Sequence, residues 1–157
     1  MDTNRSLLPR MGIVLLALFG LFDSLYLSLS TLRPEDPMYC PVGGSCTAVQ
    51  DSPWSRLPPG EGGLPVAFIG VGGYLVLFLL GMIMLQTDMV GGRLSLPPTL
   101  LVVSSAGALF SLYLIAIQVF VIHSICFWCA LSALFQWSIW GLTLFDWSVW
   151  RRVQRNE

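Results

Sequence analysis

The chain has 157 residues, 55% of them hydrophobic and only 11% charged, with a mean hydropathy of +0.73. So apolar a composition excludes an ordinary soluble domain. A formal net charge of −1 and the absence of lysine argue against nucleic acid or an anionic surface as the main partner.

A helix needs about 20 apolar residues to cross a hydrocarbon core, and four stretches meet that length: 11–32, 65–86, 98–122 and 125–145. They predict one domain over 1–157, an all-α integral membrane four-helix bundle. The first span follows Arg5 and Arg10 and resembles the start of a secretory signal. It has no small-residue cleavage site and runs on past Asp23, Tyr26 and Leu29 to Leu32, so it is expected to be a retained anchor. Asp23 is costly to keep charged in lipid, which makes it a functional candidate for proton delivery, with a protonated or hydrogen-bonded packing role as the alternative.

The 33–64 segment holds Pro34, Pro37, Pro41, Pro53, Pro58 and Pro59 and several glycines, which break any long helix. It is expected to be a loop with at most a short helix near Thr47 to Gln50. Ala48, Val49, Trp54 and Leu57 give it an apolar side that would lie on the mouth of the bundle, with Trp54 at the interface. The loop carries two of the four cysteines, Cys40 and Cys46.

The second span and the 87–97 loop lead to a third span that repeats the first. Gly20-Leu21-Phe22-Asp23-Ser24-Leu25-Tyr26-Leu27 matches Gly107-Ala108-Leu109-Phe110-Ser111-Leu112-Tyr113-Leu114 at an offset of 87 residues. Glycine and serine four apart allow close helix packing in lipid. Each copy is followed, 13 and 12 residues after its last leucine, by the first cysteine of a pair, which also fits an ancient duplication.

A tight turn at 123–124 precedes the fourth span. His123, the only histidine, lies three residues before Cys126 and is read either as a plain turn residue or as a group favouring a nearby thiolate. Cys126-Phe127-Trp128-Cys129 places two thiols on adjacent turns of one helical face, Cys129 about 4.5 Å deeper. Ser124 is expected to cap the helix start, whose free amides favour a thiolate.

Basic residues near span ends are held on the cytoplasmic side. With both termini inside, Arg5, Arg10, Arg93, Arg151, Arg152 and Arg155 are cytoplasmic, and only Arg33 and Arg56 lie outside. Trp147 and Trp150 then suit the cytoplasmic half of an aromatic belt. All four cysteines face the oxidising side, where Cys126 is placed to exchange with a protein thiol and Cys129 to face a membrane-soluble acceptor. Two structural disulfides stapling the loop are the bland alternative, which is weak for Cys126 and Cys129 because a pair on adjacent helical turns gains little as a staple. A zinc site is disfavoured because the second pair lies partly in lipid.

With these residues in this order, the chain resembles the vitamin K epoxide reductase family in its bacterial single-domain form. The resemblance rests on Ser24-Leu25-Tyr26-Leu27, Cys40, Ser45-Cys46, Val49, Ser52 and Trp54, then Gly63-Leu64-Pro65, Gly70 and Tyr74, and last Cys126 and Cys129. It implies an extracytoplasmic loop capping the active site of a multi-pass protein of the bacterial inner membrane. It further implies that Cys40 exchanges with a thioredoxin-fold, DsbA-like partner, that Cys46 passes electrons to Cys126, and that Cys129 reduces a quinone, ubiquinone or menaquinone, without a metal. Ser52 would support the loop, and Trp54, Val66, Ile69, Gln118 and Ala133 would line the quinone site, with Gln118 able to donate to a carbonyl or to bond between helices.

Vertebrate members carry a substrate-binding tyrosine where Ala133 stands and an asparagine where Val66 stands. Reduction of a respiratory quinone, supporting disulfide formation in exported proteins, is therefore expected rather than epoxide reduction. Many bacterial relatives carry a fused thioredoxin-like domain, whereas this chain stops at Glu157, so the partner is expected to be a separate protein. The other bacterial four-helix thiol oxidase family places its two-residue-spaced pair first, the reverse of the order here. A non-enzymatic, disulfide-stapled four-helix scaffold is the remaining alternative, and it predicts that Cys129→Ser leaves function intact.

Overall fold

In a computed structural model, the described residues are 3–33, 39–41, 46–60, 62–90 and 94–155. Of the positions weighed above, Pro34, Pro37, Ser45, Arg93 and the Arg5 side chain lie outside them. Helix α1 covers Thr3–Leu32, the short α2 Cys46–Gln50, α3 Val66–Met84, α4 Leu96–Ile117 and α5 Phe127–Arg155. Four stretches are long and apolar enough to cross a membrane, Leu7–Leu32, Val66–Met84, Leu96–Ile122 and Phe127–Arg155. Two antiparallel two-residue ladders add to the all-α expectation. β1 (Arg56–Leu57) pairs with β2 (Leu64–Pro65), and β3 (Met89–Val90) pairs with β4 (Leu94–Ser95).

The helices differ from the expected spans at their ends, for local reasons. Pro97 and Pro98 fall in the first turn of α4, where a missing amide hydrogen costs nothing, so the helix starts before them at Leu96. Its last turn widens into a π-helical turn, Gln118–Ile122, which His123 ends in the left-handed region at φ 54°. The connection to α5 then takes residues 123–126 rather than a two-residue turn. α5 runs on through Asp146 to Arg155, beyond the expected end at 145.

The core is one apolar cluster of Ile13, Ala17, Tyr74, Leu77, Met84, Leu96, Leu100 and Ile139. Phe22, Leu79, Val102, Leu109 and Leu134 point outward, as side chains facing lipid tails should. Small residues let the helices close up, and a Cβ on Gly20 would collide with the Tyr74 ring and one on Gly107 with Gln136. Both repeat copies therefore spend their glycine on receiving a side chain from another helix.

α1 and α5 pack antiparallel in a constant register. Phe19 meets Phe135 with ring centroids 6.3 Å apart, Tyr26 meets Trp128 at 4.9 Å, and Arg10 meets Asp146. At that end Arg10 is buried. Its Nε donates to Asp146 Oδ1 at 3.0 Å, one Nη to the Met84 carbonyl at 3.0 Å, and the other sits 2.7 Å from Asp88 Oδ1. A residue expected only to mark the cytoplasmic side is thus a paired, buried clamp joining α1, the end of α3 and α5. Arg151 stacks on Trp147, 4.4 Å from the ring centroid.

Candidate active site

At the opposite end, the loop between α1 and α3 is built down onto the bundle. Cys40 and Cys46 form a disulfide. Cys46 and Val49 are the buried face of α2, and they join Cys126 in one cluster against Ile122, Phe127, Trp128 and Cys129. Ala48, expected on that face, is exposed, because a five-residue helix buries one side only. Gln50 Nε2 donates to Thr31 Oγ1 at 2.7 Å and Ser30 Oγ at 3.2 Å, pinning α2 to the end of α1. Trp128 Nε1 donates to the Tyr39 carbonyl at 2.9 Å, pinning the residue before Cys40 to α5.

Cys126 and Cys129 are free thiols, and their geometry corrects the expected one. Cys126 does not sit within α5 but caps it. Its carbonyl accepts the Ala130 amide at 3.0 Å, and its Sγ accepts the Cys129 amide at 3.4 Å, the pattern of an N-cap side chain with sulfur in place of oxygen. Ser124, expected in that role, instead donates its amide to the Gln118 carbonyl at 3.1 Å. Cys126 lies just before the fourth span. Its thiol is held below the ordinary range, first by a hydrogen bond from the Cys129 thiol and then by the Cys129 and Trp128 amides, with burial opposing them.

Gln118 is enclosed, and its Oε1 accepts the Cys126 amide at 3.1 Å. The π turn makes this possible by carrying the chain back over the start of α5. The bond uses the amide oxygen, while the residue also lines the cavity, so the expected donation from its Nε2 to a carbonyl is compatible with holding Cys126. His123 is exposed and its Nδ1 lies 3.2 Å from the Val121 carbonyl, so it serves the turn. Ser52 carries its turn through the backbone, with Ser55 N donating to its carbonyl at 3.0 Å. Its Oγ is enclosed and has no hydrogen-bond partner.

Beneath the thiols lies a cavity of about 420 Å³, within the roughly 300–1,000 Å³ usual for small-molecule sites. Cys46, Cys126 and Cys129 line it, as do all five expected ligand-lining residues, Trp54, Val66, Ile69, Gln118 and Ala133. Cys40 and Ser52 are not among its lining residues. The walls are mostly aliphatic, and Ser111 Oγ is enclosed there without a partner, a donor that a flat, apolar, carbonyl-bearing ring would satisfy. A quinone therefore fits the residues present.

Sequence reasoning missed Ser111, Ser132 and Gln136 on these walls. For Ser132 a signal existed, since it lies three residues after Cys129 and so one turn deeper on the same face. Gln136 donates to the Ser104 carbonyl at 3.0 Å, and the Tyr74 hydroxyl donates to the Ser132 carbonyl at 2.6 Å. Both tie α5 to its neighbours at the floor of the cavity.

A search of curated proteins finds no match to the chain. Residues 11–144, which reach into all four spans and include all four cysteines, match the Vitamin K epoxide reductase family. Members are membrane helical bundles with thiol oxidoreductase activity, generally working with quinones and thioredoxin-like partners. With most of its length matched and its thiols gathered at one end of four membrane helices, the chain belongs to the vitamin K epoxide reductase family.

Proposed function

We propose that this membrane thiol oxidoreductase carries electrons from a thioredoxin-fold protein to a membrane quinone and so supports disulfide formation in exported proteins. The observation that carries the proposal is the burial of Cys46 and Cys126 in one cluster directly above an apolar cavity lined by Cys129. One disulfide within reach of a second thiol pair, itself facing an apolar chamber, is what a two-stage relay requires.

In the first stage the partner's dithiol attacks Cys40, the partner leaves as a disulfide, and Cys40 and Cys46 become thiols. The Cys46 thiolate then attacks Cys126 in an oxidised Cys126–Cys129 pair. Exchange transfers the disulfide to the loop and leaves Cys126 and Cys129 reduced, the arrangement of bonds described above. In the last stage the two thiols close to a disulfide while two electrons and two protons pass to the quinone, giving hydroquinone. Trp54, Val66, Ile69 and Ala133 hold the ring by apolar contact. Gln118 keeps Cys126 in place, and Ser52 supports the loop.

The sites lie on the extracytoplasmic face of a bacterial inner membrane, with both termini cytoplasmic. That orientation is supported by Arg151, Arg152 and Arg155 at the far end of α5. Ubiquinone and menaquinone both suit the cavity's chemistry.

Purified protein in detergent, given a reduced thioredoxin-fold partner and either quinone, is expected to reduce the quinone, as followed by absorbance. Cys129→Ser is expected to lower that turnover by at least about a hundredfold, because it removes the group that closes the disulfide. Equal turnover by wild type and Cys129→Ser, or none by wild type with either quinone, would overturn the reading and leave a stapled scaffold.

A further inference from the structure

We propose that Asp23, Ser132 and Tyr74 form a proton relay on the wall of the cavity, through which Asp23 exchanges protons with the thiol pair and the bound quinone. The proposal rests on the quinone-reducing function above and adds to it the route of a proton.

Asp23 is 6% exposed, neither carboxylate oxygen is within ordinary hydrogen-bond distance of a partner among the described residues, and the polar side chain that approaches it is Ser132. A carboxyl group buried in a membrane helix is expensive, and a packing role would leave it satisfied. The α1–α5 register shows what it faces. Phe19 meets Phe135 and Tyr26 meets Trp128, so residue 23 lies opposite the turn of α5 that holds Ser132. Ser132 Oγ is 3.0 Å from the Tyr74 hydroxyl, and both residues line the cavity with Cys129, one turn above Ser132.

The reaction needs such a route. Cys126 and Cys129 must lose two protons as their disulfide forms, and the two quinone oxygens must gain two. Among the residues lining the cavity there is no Asp, Glu, His, Lys or Arg. Asp23, just behind Ser132, is the carboxyl group placed to serve it.

As the electron pair reaches the ring, Asp23 gives a proton through the Ser132 and Tyr74 hydroxyls to the near quinone oxygen. It recovers one from the thiol pair as the S–S bond closes. The other thiol proton goes to the second oxygen. The sum is two thiols and a quinone giving a disulfide and a hydroquinone, with Asp23 unchanged.

The test is single-turnover reduction of a short-chain ubiquinone by pre-reduced enzyme, for wild type, Asp23→Asn and Ser132→Ala. In parallel, the rate at which reduced partner opens the Cys40–Cys46 disulfide is measured. Asp23→Asn is expected to lower the rate at saturating quinone by roughly tenfold or more, with KM unchanged, the solvent deuterium isotope effect increased and partner exchange at the wild-type rate. Ser132→Ala is expected to fall in the same direction, since it removes the hydroxyl that links Asp23 to Tyr74. Asp23→Asn within about twofold of wild type, or an equal fall in quinone reduction and partner exchange, would overturn the relay alone. A wild type that reduces no quinone would instead overturn the oxidoreductase reading and the relay with it.

Discussion

The two ends of this bundle treat buried polar groups in opposite ways. Each holds one aspartate inside a membrane helix, with Asp146 at 2% exposure and Asp23 at 6%. Asp146 is met through one oxygen by a guanidinium that also reaches Asp88 and the Met84 carbonyl, its Oδ2 staying unpaired, whereas neither oxygen of Asp23 is at hydrogen-bond distance from a partner among the described residues. The hydroxyls of Ser111, on the cavity wall, and Ser52, in the loop, are likewise enclosed and unsatisfied. The end away from the thiols is arranged for cohesion. The end that holds them keeps polar capacity unspent, as a site that must receive a ligand does.

The contrast is most sharply tested at Arg10. Arg10→Ala strands Asp146 without its cation and is expected to cost about 3–5 kcal/mol in detergent unfolding, while folded molecules keep the wild-type rate of thiol exchange. Lost exchange in molecules that stay folded would show that the two ends are not separable. Gln118→Ala is expected to cost about 1–3 kcal/mol by leaving the buried Cys126 amide unpaired. It should also slow capture of Cys126 by an alkylating reagent once the loop disulfide is reduced. An unchanged capture rate would remove Gln118 from the positioning of Cys126. The smallest effect is expected at His123, where glycine relieves a left-handed backbone worth about 1–2 kcal/mol but adds roughly 0.4–1 kcal/mol of unfolded-state entropy. A net gain below about 1 kcal/mol, with unaltered turnover, would confirm a purely local role.

The architecture was legible because the lipid core imposes length, and each of the four apolar stretches falls on one long helix, although the last helix runs ten residues past the expected end. The thiol pairs and five cavity-lining positions were legible through the order of motifs along the chain. What escaped depended on contacts between distant segments. Arg10 was read only for the side of the membrane it marks, because its partner Asp146 lies one residue beyond the expected end of the fourth span. The bond from the Cys126 amide to Gln118 was not foreseen because it depends on a π turn, which has no composition of its own. The environment of Asp23 follows only from the antiparallel pairing of α1 with α5. Gly63, read only as part of a motif, has a plain cause, since a Cβ there would collide with the Pro58 carbonyl beneath the β1–β2 ladder.

The Arg10–Asp146 clamp also bears on how the protein is made. Its members stand 136 residues apart, one in the first of the four spans and the other in the last. While the chain is being inserted, Arg10 is still an uncompensated cation, able to fix the side on which the first helix begins. Once the fourth helix arrives, the same charge is withdrawn from the surface and becomes the bolt that closes the assembly, so one residue serves first as a signpost and afterwards as a fastening.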